Sequence, residues 1–204
     1  MHTSSFEHMK DLVRRHTNPG GLLEILDVGS CDVNGSYRPL FDQPGWRYRG
    51  LDLAPGKNVD LVLPSPYSFP IGSASVDLVI SGQAFEHIEF FWLTWSEIVR
   101  VLKPGGLIFL IAPSRGEEHR YPVDCWRFYP DGFKALAKLG DLELLEVTTD
   151  WRPHPAPDSA AWGDTAGVFR KPDRSFLDQA LRQLDHLVVQ RLAAWLAQRP
   201  PRSR

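Results

Sequence analysis

The segment 114–130, SRGEEHRYPVDCWRFYP, contains the residues of this sequence that are best suited to move a proton. His119 is our first choice for a general base, because a neutral imidazole titrates close to neutral pH. We expect Asp124 to orient this imidazole, and Arg127 either to bind an acidic group or to hold the segment in place. A purely structural interpretation stays open, since segments rich in arginine, aspartate and aromatic residues are often held together by ion pairs and ring stacking.

A second group of residues is suited to bind a nucleoside. The apolar stretch LLEILDVGS predicts a strand buried on both faces, with Asp27 at its carboxyl end and Gly29 in a sharp turn. Asp52 lies 25 residues after Asp27, at the end of the next predicted strand. A carboxylate in that position accepts hydrogen bonds from ribose hydroxyls, and open α/β sheets bind their ligands at this edge.

The turn after the first strand narrows the choice of ligand. It contains Ser30, Cys31, Asp32 and Val33, where a dinucleotide-binding loop has the glycines that admit a pyrophosphate. Asp27 and Asp32 would repel phosphates but would suit a positively charged ligand. S-adenosylmethionine combines a ribose with a sulfonium and an ammonium group, so it is a better candidate than NAD. We expect Cys31 to be a small packing residue beside the cofactor.

These residues require a sheet whose strands end at a common edge. Strands are predicted at 22–28, 47–53, 59–63, 76–81, 107–112, 142–149 and 167–170, and helices at 5–16, 87–102, 130–140 and 173–198. The alternation predicts one α/β domain, a Rossmann-like three-layer α/β/α sandwich. In the helix 130–140, Phe133, Leu136 and Leu139 are expected to face inward.

Composition and charge disfavour several classes of protein. A net charge of -2 provides no basic surface for nucleic acid. The two cysteines show no metal-ligand spacing and indicate a reduced, cytoplasmic environment. No apolar run is long enough to cross a membrane, so we expect no membrane partner. The sequence also shows no cluster of carboxylates and amides near the acceptor segment, so no metal is predicted.

Four segments carry a resemblance to a known family: DVGS at 27–30, GLDL at 50–53, VDLVISGQAFEHI at 76–88 and VLKPGGLIFLIAP at 101–113. In this order and spacing, over residues 20–150, they resemble class I S-adenosylmethionine-dependent methyltransferases of type 11. The resemblance implies a seven-stranded, mostly parallel sheet with an antiparallel final hairpin. It also implies S-adenosyl-L-methionine as the cofactor, released as S-adenosyl-L-homocysteine.

The resemblance further implies that the loops after the first four strands hold the cofactor. The residues it points to are Asp27, Gly29 and Ser30 for the methionine part, Asp52 and Leu53 for the ribose and adenine edge, Leu63 beside the adenine, and Ser81, Gly82 and Gln83 near the methionine end.

The segments 27–38 and 119–132 resemble a bacterial subgroup that modifies sugars, polysaccharides or natural products. We therefore expect in-line methyl transfer to a small-molecule acceptor, with a hydroxyl as the nucleophile if His119 acts as its base. Tyr121, Trp126 and His87 are expected to line the acceptor pocket, although His87 would equally suit a capping or packing role.

Other possibilities follow from the same residues. A non-catalytic binding protein could retain the fold, and an NAD(P)-dependent oxidoreductase is disfavoured by the missing pyrophosphate glycines. We expect one domain over 1–204, in which 1–17 forms a lid helix and 113–129 an acceptor loop. The apolar stripe of 173–198 would pack on the sheet or join two copies of the chain, which makes the protein a monomer or a homodimer.

Overall fold

The computed structural model describes residues 2–173 and, beyond them, Val188, Arg191, Leu192 and Trp195. Its strands, in chain order, are β1 Leu23–Val28, β2 Trp46–Asp52, β3 Leu61–Val62, β4 Val76–Gly82, β5 Leu102–Arg115, β6 Glu143–Thr149 and β7 Gly163–Arg170. The α-helices are α1 Thr3–His16, α2 Phe91–Val101 and α3 Pro130–Gly140, and the 3-10 helices are Arg38–Phe41 and Phe85–His87.

The seven strands form one sheet in the order β3-β2-β1-β4-β5-β7-β6. The first five strands of this order pair in parallel, whereas β7 is antiparallel to both β5 and β6. The strands β2 and β3 are added on one side of β1, and the chain then crosses to the other side of β1 to form β4. Open α/β sheets bind their ligands at such a switch point, here between β1 and β4. The mostly parallel sheet with an antiparallel final hairpin confirms the fold predicted from the sequence.

Helices cover both faces of this sheet, as in a three-layer sandwich. On one face, Met9 and Leu12 of α1 pack with Ile25 of β1 in a buried apolar cluster. On the other face, Leu26 of β1 belongs to a larger cluster with Trp95 of α2 and further residues of α3. Neighbouring residues of β1 thus enter different cores, because side chains alternate along a strand.

Several boundaries differ from the sequence-based expectation. The helix predicted to begin at His87 begins at Phe91, because Phe85–His87 forms a separate 3-10 turn. The segment expected to end that helix, 103–106, belongs to β5 and forms an irregularity between the pairs Val76–Leu102 and Leu78–Leu107. The third strand is reduced to the two residues of β3.

The prediction that Leu139 faces inward was wrong. Its side chain is 57% exposed, whereas Phe133, Leu136 and Ala137 are buried. Positions three and four apart share one face of a helix, and Gly140 continues this face against Trp95. Leu139 does not lie on this buried face of α3.

The strand β7 begins four residues before the predicted start at Gly167. Its first residues include Asp164 and Thr165, which are polar but fully buried. A polar segment does not predict a buried strand, because the sequence alone does not reveal the hydrogen-bond partners that its side chains find in the folded protein.

The predicted helix 173–198 and its dimer contact lie for the most part outside the described residues. Among the described residues, no helix is long and apolar enough to cross a membrane.

Candidate active site

The loops after β1 and β4 touch each other at the point where the sheet order switches. Gly29 has a φ of +81°, and a Cβ at this position would lie only 2.3 Å from the Cβ of Ala84. Gln83 has a φ of 60°, which is unusual for a residue with a side chain. Its N–H donates to the carbonyl of Ile111 at 3.0 Å. Strained backbone of this kind concentrates at functional sites.

Asp52 joins the ends of β1, β2 and β3. Its carboxylate accepts hydrogen bonds from the backbone N–H of Cys31 at 2.9 Å and from that of Leu53 at 2.7 Å. Its carbonyl accepts one from the N–H of Leu63, also at 2.7 Å. A carboxylate has about four acceptor positions, so Asp52 keeps capacity for further donors. Leu53 is half exposed beside it, and the side chain of Leu63 is buried in the core.

Ser30 fastens the irregular first loop to the turn before β3. Its hydroxyl donates to the carbonyl of Asn58 at 3.1 Å, and the amide nitrogen of Asn58 donates to the carbonyl of Ser30 at 2.8 Å. A Cβ at Gly50 would lie 2.1 Å from that carbonyl of Asn58. The loop after β1 lacks the usual run of glycines, and it is held in place by these hydrogen bonds and by the close approach of Asn58 to Gly50.

Three of the predicted cofactor residues lie beneath these loops. Asp27 is 2% exposed and accepts a hydrogen bond from the hydroxyl of Tyr48. Burial raises the pKa of Asp27 to about 7. The hydroxyl of Ser81 donates to the carbonyl of Val28 at 2.8 Å, which ties β4 to β1. Gly82 is buried, and a Cβ there would lie 2.2 Å from the hydroxyl oxygen of Tyr37.

The start of α1 is bonded to Gln83. The side-chain amide of Gln83 donates to the hydroxyl of Ser5 at 3.1 Å and to the carboxylate of Asp164 at 2.9 Å. Asp164 also pairs with His2 and accepts a hydrogen bond from Ser4. Burial opposes ionisation, but these bonds hold the pKa of Asp164 below its usual value. The predicted lid helix thus packs on the sheet and reaches the site only with its first turn.

After β5, residues 116–129 return over the 3-10 helix Phe85–His87. The guanidinium of Arg127 pairs with Asp124 at 2.6 and 2.9 Å and donates to the carbonyl of Glu117 at 2.9 Å. This pairing holds the pKa of Asp124 well below its usual range. Of the two roles expected for Arg127, these contacts are those of a residue that holds the loop.

His119 lies beside Asp124, which was expected to orient its imidazole. Its Nδ1 atom is 3.2 Å from a carboxylate oxygen of Asp124 but is not hydrogen-bonded to it. The backbone N–H of His119 donates to the same oxygen at 2.8 Å. The ring packs edge-on against Trp162 and His87, with centroid distances of 4.6 and 4.9 Å.

Glu86 is a site residue that sequence reasoning left aside. It is fully buried, and neither of its carboxylate oxygens has a hydrogen-bond partner among the residues that the structure describes. Burial raises the pKa of Glu86 to about 8. One of its carboxylate oxygens and one ring nitrogen each of His87 and His119 all lie within 4.8 Å of one another. Glu86 and His119 are far apart in the sequence, so no spacing signal could have joined them.

Tyr121 and Trp126 lie near this group. The ring of Tyr121 is 57% exposed and stands 5.9 Å from the ring of His87. The indole N–H of Trp126 donates to the carbonyls of Ile88 and Glu89 at 3.1 and 3.2 Å. Two of the predicted acceptor residues, Tyr121 and Trp126, therefore contact the segment 87–89, which contains the third, His87.

A separate cavity of about 760 Å³ opens beside the first loop. Its cationic side chains are already paired, Arg38 with Asp60 and Lys57 with Asp32. None of the residues predicted to bind the cofactor lines it.

Comparison with known proteins gives consistent matches. Residues 26–110 match the family model described as "Methyltransferase domain". The chain is 26% identical over 208 residues to the 2-methyl-6-phytyl-1,4-hydroquinone methyltransferase of Synechocystis sp., covering 83% of this chain and 63% of that protein. It is 32% identical over 164 residues to an uncharacterised methyltransferase of Mycobacterium leprae, covering 71% and 58%. The chain thus spans less than two thirds of the length of these curated relatives.

One similar solved structure is the 1,6-didemethyltoxoflavin-N1-methyltransferase of Burkholderia thailandensis, with bound 1,6-didemethyltoxoflavin and S-adenosylhomocysteine. The TM-score is 0.64 at 15% identity, with 83% of this chain and 79% of that chain covered. At this identity the likeness concerns the fold.

Proposed function

We propose that the chain is a class I S-adenosylmethionine-dependent methyltransferase, which transfers a methyl group from S-adenosylmethionine to a hydroxyl group of a small-molecule acceptor. The acceptor class that we propose is a sugar or a natural product, and the proposed location is the cytoplasm. The observation that supports the proposal is that Asp52 ends β2 and Gln83 directly follows β4, the strands on either side of β1, while Glu86, His87 and His119 lie close together beyond Gln83.

The residues around the crevice fit S-adenosylmethionine. Asp52 keeps acceptor capacity for ribose hydroxyls at the end of β2. The carboxylate of Asp52 favours a sulfonium and an ammonium over phosphates. Arg38 and Lys57, the cations beside the first loop, are each paired with a carboxylate, so they leave no open charge for a pyrophosphate.

When bound, S-adenosylmethionine supplies an electrophilic methyl group on a sulfonium. The residues of the chain must then hold the acceptor oxygen in line with it and keep water away, which lowers the barrier through positioning. The loop 116–129, fixed by Arg127 and Asp124, forms the wall on the acceptor side. We propose that His119 activates the acceptor hydroxyl and that Asp124 keeps its imidazole oriented. An imidazole that is not bound to a metal would activate the hydroxyl by accepting its proton.

Calorimetric titration with S-adenosylmethionine and S-adenosylhomocysteine tests the cofactor assignment. We expect micromolar binding by the wild type and at least tenfold weaker binding by Asp52→Ala, because the carboxylate that accepts from the ribose is removed. Asp131→Asn is the matched control, since Asp131 lies on the exposed side of α3 and should leave binding unchanged. No binding in the presence or absence of acceptors would overturn the proposal.

Turnover is tested by measuring S-adenosylhomocysteine release with a panel of hydroxylated sugars, phenols and hydroquinones. We expect His119→Ala to lower kcat with the affinity for S-adenosylhomocysteine unchanged. Cofactor binding without turnover of any acceptor would instead support a non-catalytic binding protein on this fold.

A further inference from the structure

The buried carboxylate of Glu86 has no hydrogen-bond partner within the described part of the protein, although Nε2 of His87 approaches it at 3.6 Å. Both oxygens lack a hydrogen bond, although the side chain is fully buried in the 3-10 helix Phe85–His87. Buried carboxylates are normally paired, hydrogen-bonded or bound to a metal, because an isolated charge in the interior is costly. We therefore expect Glu86 either to bind a cation or to carry a proton.

The two histidines beside Glu86 offer lone pairs. A backbone carbonyl can only accept a hydrogen bond, so the 2.6 Å contact of His87 Nδ1 with the carbonyl of Val123 places the proton on Nδ1. In the neutral ring, Nε2 then carries the lone pair, and it lies 3.6 Å from Oε1 of Glu86. His119 packs edge-on against His87 and brings one of its ring nitrogens within 4.8 Å of the other two groups.

Two imidazoles and one carboxylate form a ligand set typical of catalytic divalent transition metals. The bond of His87 also matches such a site, because metal-binding histidines usually give their second ring nitrogen to a carbonyl or a carboxylate, and Nδ1 of His87 bonds the carbonyl of Val123. Nδ1 of His119 lies 3.2 Å from Asp124 without a hydrogen bond. Zinc needs its ligand atoms about 3.4 Å apart for bonds of about 2.1 Å. Since the three ligand atoms lie within 4.8 Å of one another, each pair would have to move closer by about 1.4 Å at most.

We propose that Glu86, His87 and His119 bind one divalent transition metal ion, with Zn²⁺ as the reference ion. Three protein ligands leave an open coordination position. This inference rests on the proposed methyl transfer, in which the ion would hold the acceptor hydroxyl at that position and lower its pKa. The oxygen would then lose its proton to water and attack the methyl carbon, with S-adenosylhomocysteine as the leaving group. His119 then activates the acceptor through the metal.

A second group of possible ligands shows what a satisfied cluster looks like. His8, Asp150 and Asp164 also lie close together. His8 is bonded to Asp150 at 2.8 Å, and Asp164 is bonded to Gln83 and to residues of α1. The side chains of this cluster are hydrogen-bonded without an ion, whereas the carboxylate oxygens of Glu86 have no hydrogen bond among the described residues.

The test uses the full chain without a histidine tag, freed of metal by dialysis against a chelator. We expect calorimetry to show one equivalent of Zn²⁺ and Co²⁺ to give the visible absorption of a site with nitrogen and oxygen ligands. Glu86→Gln keeps the volume of the side chain, and His119→Ala removes one ligand. We expect each to weaken Zn²⁺ binding at least tenfold. His16→Gln is the matched control, because His16 contacts Glu146 at the other end of α1.

Affinity for S-adenosylhomocysteine, measured without metal, reports separately on folding and on the cofactor site. Unchanged affinity in Glu86→Gln together with lost Zn²⁺ binding would support the metal site. Absence of Zn²⁺ and Co²⁺ binding by the wild type would overturn the metal site while leaving the proposed methyl transfer intact. Zn²⁺ binding that persists in both variants would also overturn it.

Discussion

The hydroxyl of Tyr48 in β2 donates a hydrogen bond to the carboxyl group of Asp27 in β1. In the parallel register Tyr48 lies beside Ile25, two residues before Asp27 and on the same face of the sheet. Burial raises the pKa of Asp27 to about 7, the bond from Tyr48 opposes this rise, and the nearby charge of Asp52 adds to it. The folded chain thus holds a carboxyl group that favours its protonated form.

We expect Asp27 to make the protein less stable as the pH rises. The pKa of this group increases from 3.8 to about 7 on folding, so the folded state binds the proton more tightly. Its stabilising effect is complete below about pH 4 and is lost as the pH rises towards 7. Asp27→Asn removes the buried charge, so its free energy of unfolding should exceed that of the wild type by a margin that grows with pH. At about 1.4 kcal/mol per pKa unit, this margin should reach roughly 2–4 kcal/mol.

Urea unfolding at pH 5, 6, 7 and 8 measures this margin. Asp131→Asn, which changes an exposed aspartate on α3, should follow the wild type across the series. A margin between Asp27→Asn and wild type that stays constant with pH would contradict the raised pKa.

A methyl group at position 29 should damage both the fold and the cofactor site. In Gly29→Ala the new Cβ would lie 2.3 Å from the Cβ of Ala84, and φ is +81°. We expect a loss of about 1–3 kcal/mol in the free energy of unfolding and at least a tenfold loss of affinity for S-adenosylhomocysteine. Urea unfolding and calorimetry measure the two effects.

Two variants separate the steric clash from backbone strain. Gly20 also has a positive φ, but a Cβ there would meet nothing within 4 Å. Gly20→Ala should therefore cost only about 1 kcal/mol and leave cofactor affinity unchanged. In the double variant Gly29→Ala, Ala84→Gly the contacting Cβ is removed, so affinity should recover in part. Equal effects of Gly20→Ala and Gly29→Ala would disprove the close contact of the two loops.

The strands and their polar ends could be predicted from the sequence because their signals are local. An apolar run followed by Asp27 and Gly29, and a second one ending at Asp52, predict both the strands and the edge where they meet. The proximity of His119 to Asp124 could also be predicted, because the two residues lie five positions apart in one loop.

The rest depends on contacts between distant segments. Glu86 reads as an ordinary residue at a predicted helix start, and its missing partners become visible only when the acceptor loop folds over it. The polar start of β7 is likewise explained by Ser4 and Gln83, which lie more than 80 residues earlier in the chain. Satisfaction of buried polar groups is a tertiary property, so residue spacing does not reveal it.

Arg127 should control the order of the acceptor loop. Arg127→Ala removes the two hydrogen bonds to Asp124 and the one to the carbonyl of Glu117. We expect amide hydrogen exchange over residues 116–124 to become at least tenfold faster, with cofactor affinity unchanged, because these bonds hold the loop closed. Arg120→Ala is the control, since the pair of Arg120 with Glu118 is exposed. Unchanged exchange together with a raised KM for an acidic acceptor would instead assign Arg127 to acceptor binding.

Gln83 has a strained backbone conformation, with a φ of 60°. We expect its side-chain hydrogen bonds to Ser5 and Asp164 to maintain this conformation. Gln83→Gly and Gln83→Ala both lose the hydrogen bonds to Ser5 and Asp164, but only glycine adopts a φ of 60° without strain. We therefore expect Gln83→Gly to be more stable than Gln83→Ala by about 1 kcal/mol in urea unfolding. Both variants should bind S-adenosylhomocysteine more weakly, because the first turn of α1 loses its bond to the crevice.

Ala74 provides the matched control for this last prediction. It has a φ of 50° in an exposed turn before β4, away from the crevice. Ala74→Gly should raise the free energy of unfolding by a similar amount, about 1 kcal/mol, and leave cofactor affinity unchanged. If Gln83→Ala binds S-adenosylhomocysteine as tightly as the wild type does, the bonds from Gln83 to Ser5 and Asp164 serve the packing of α1 alone.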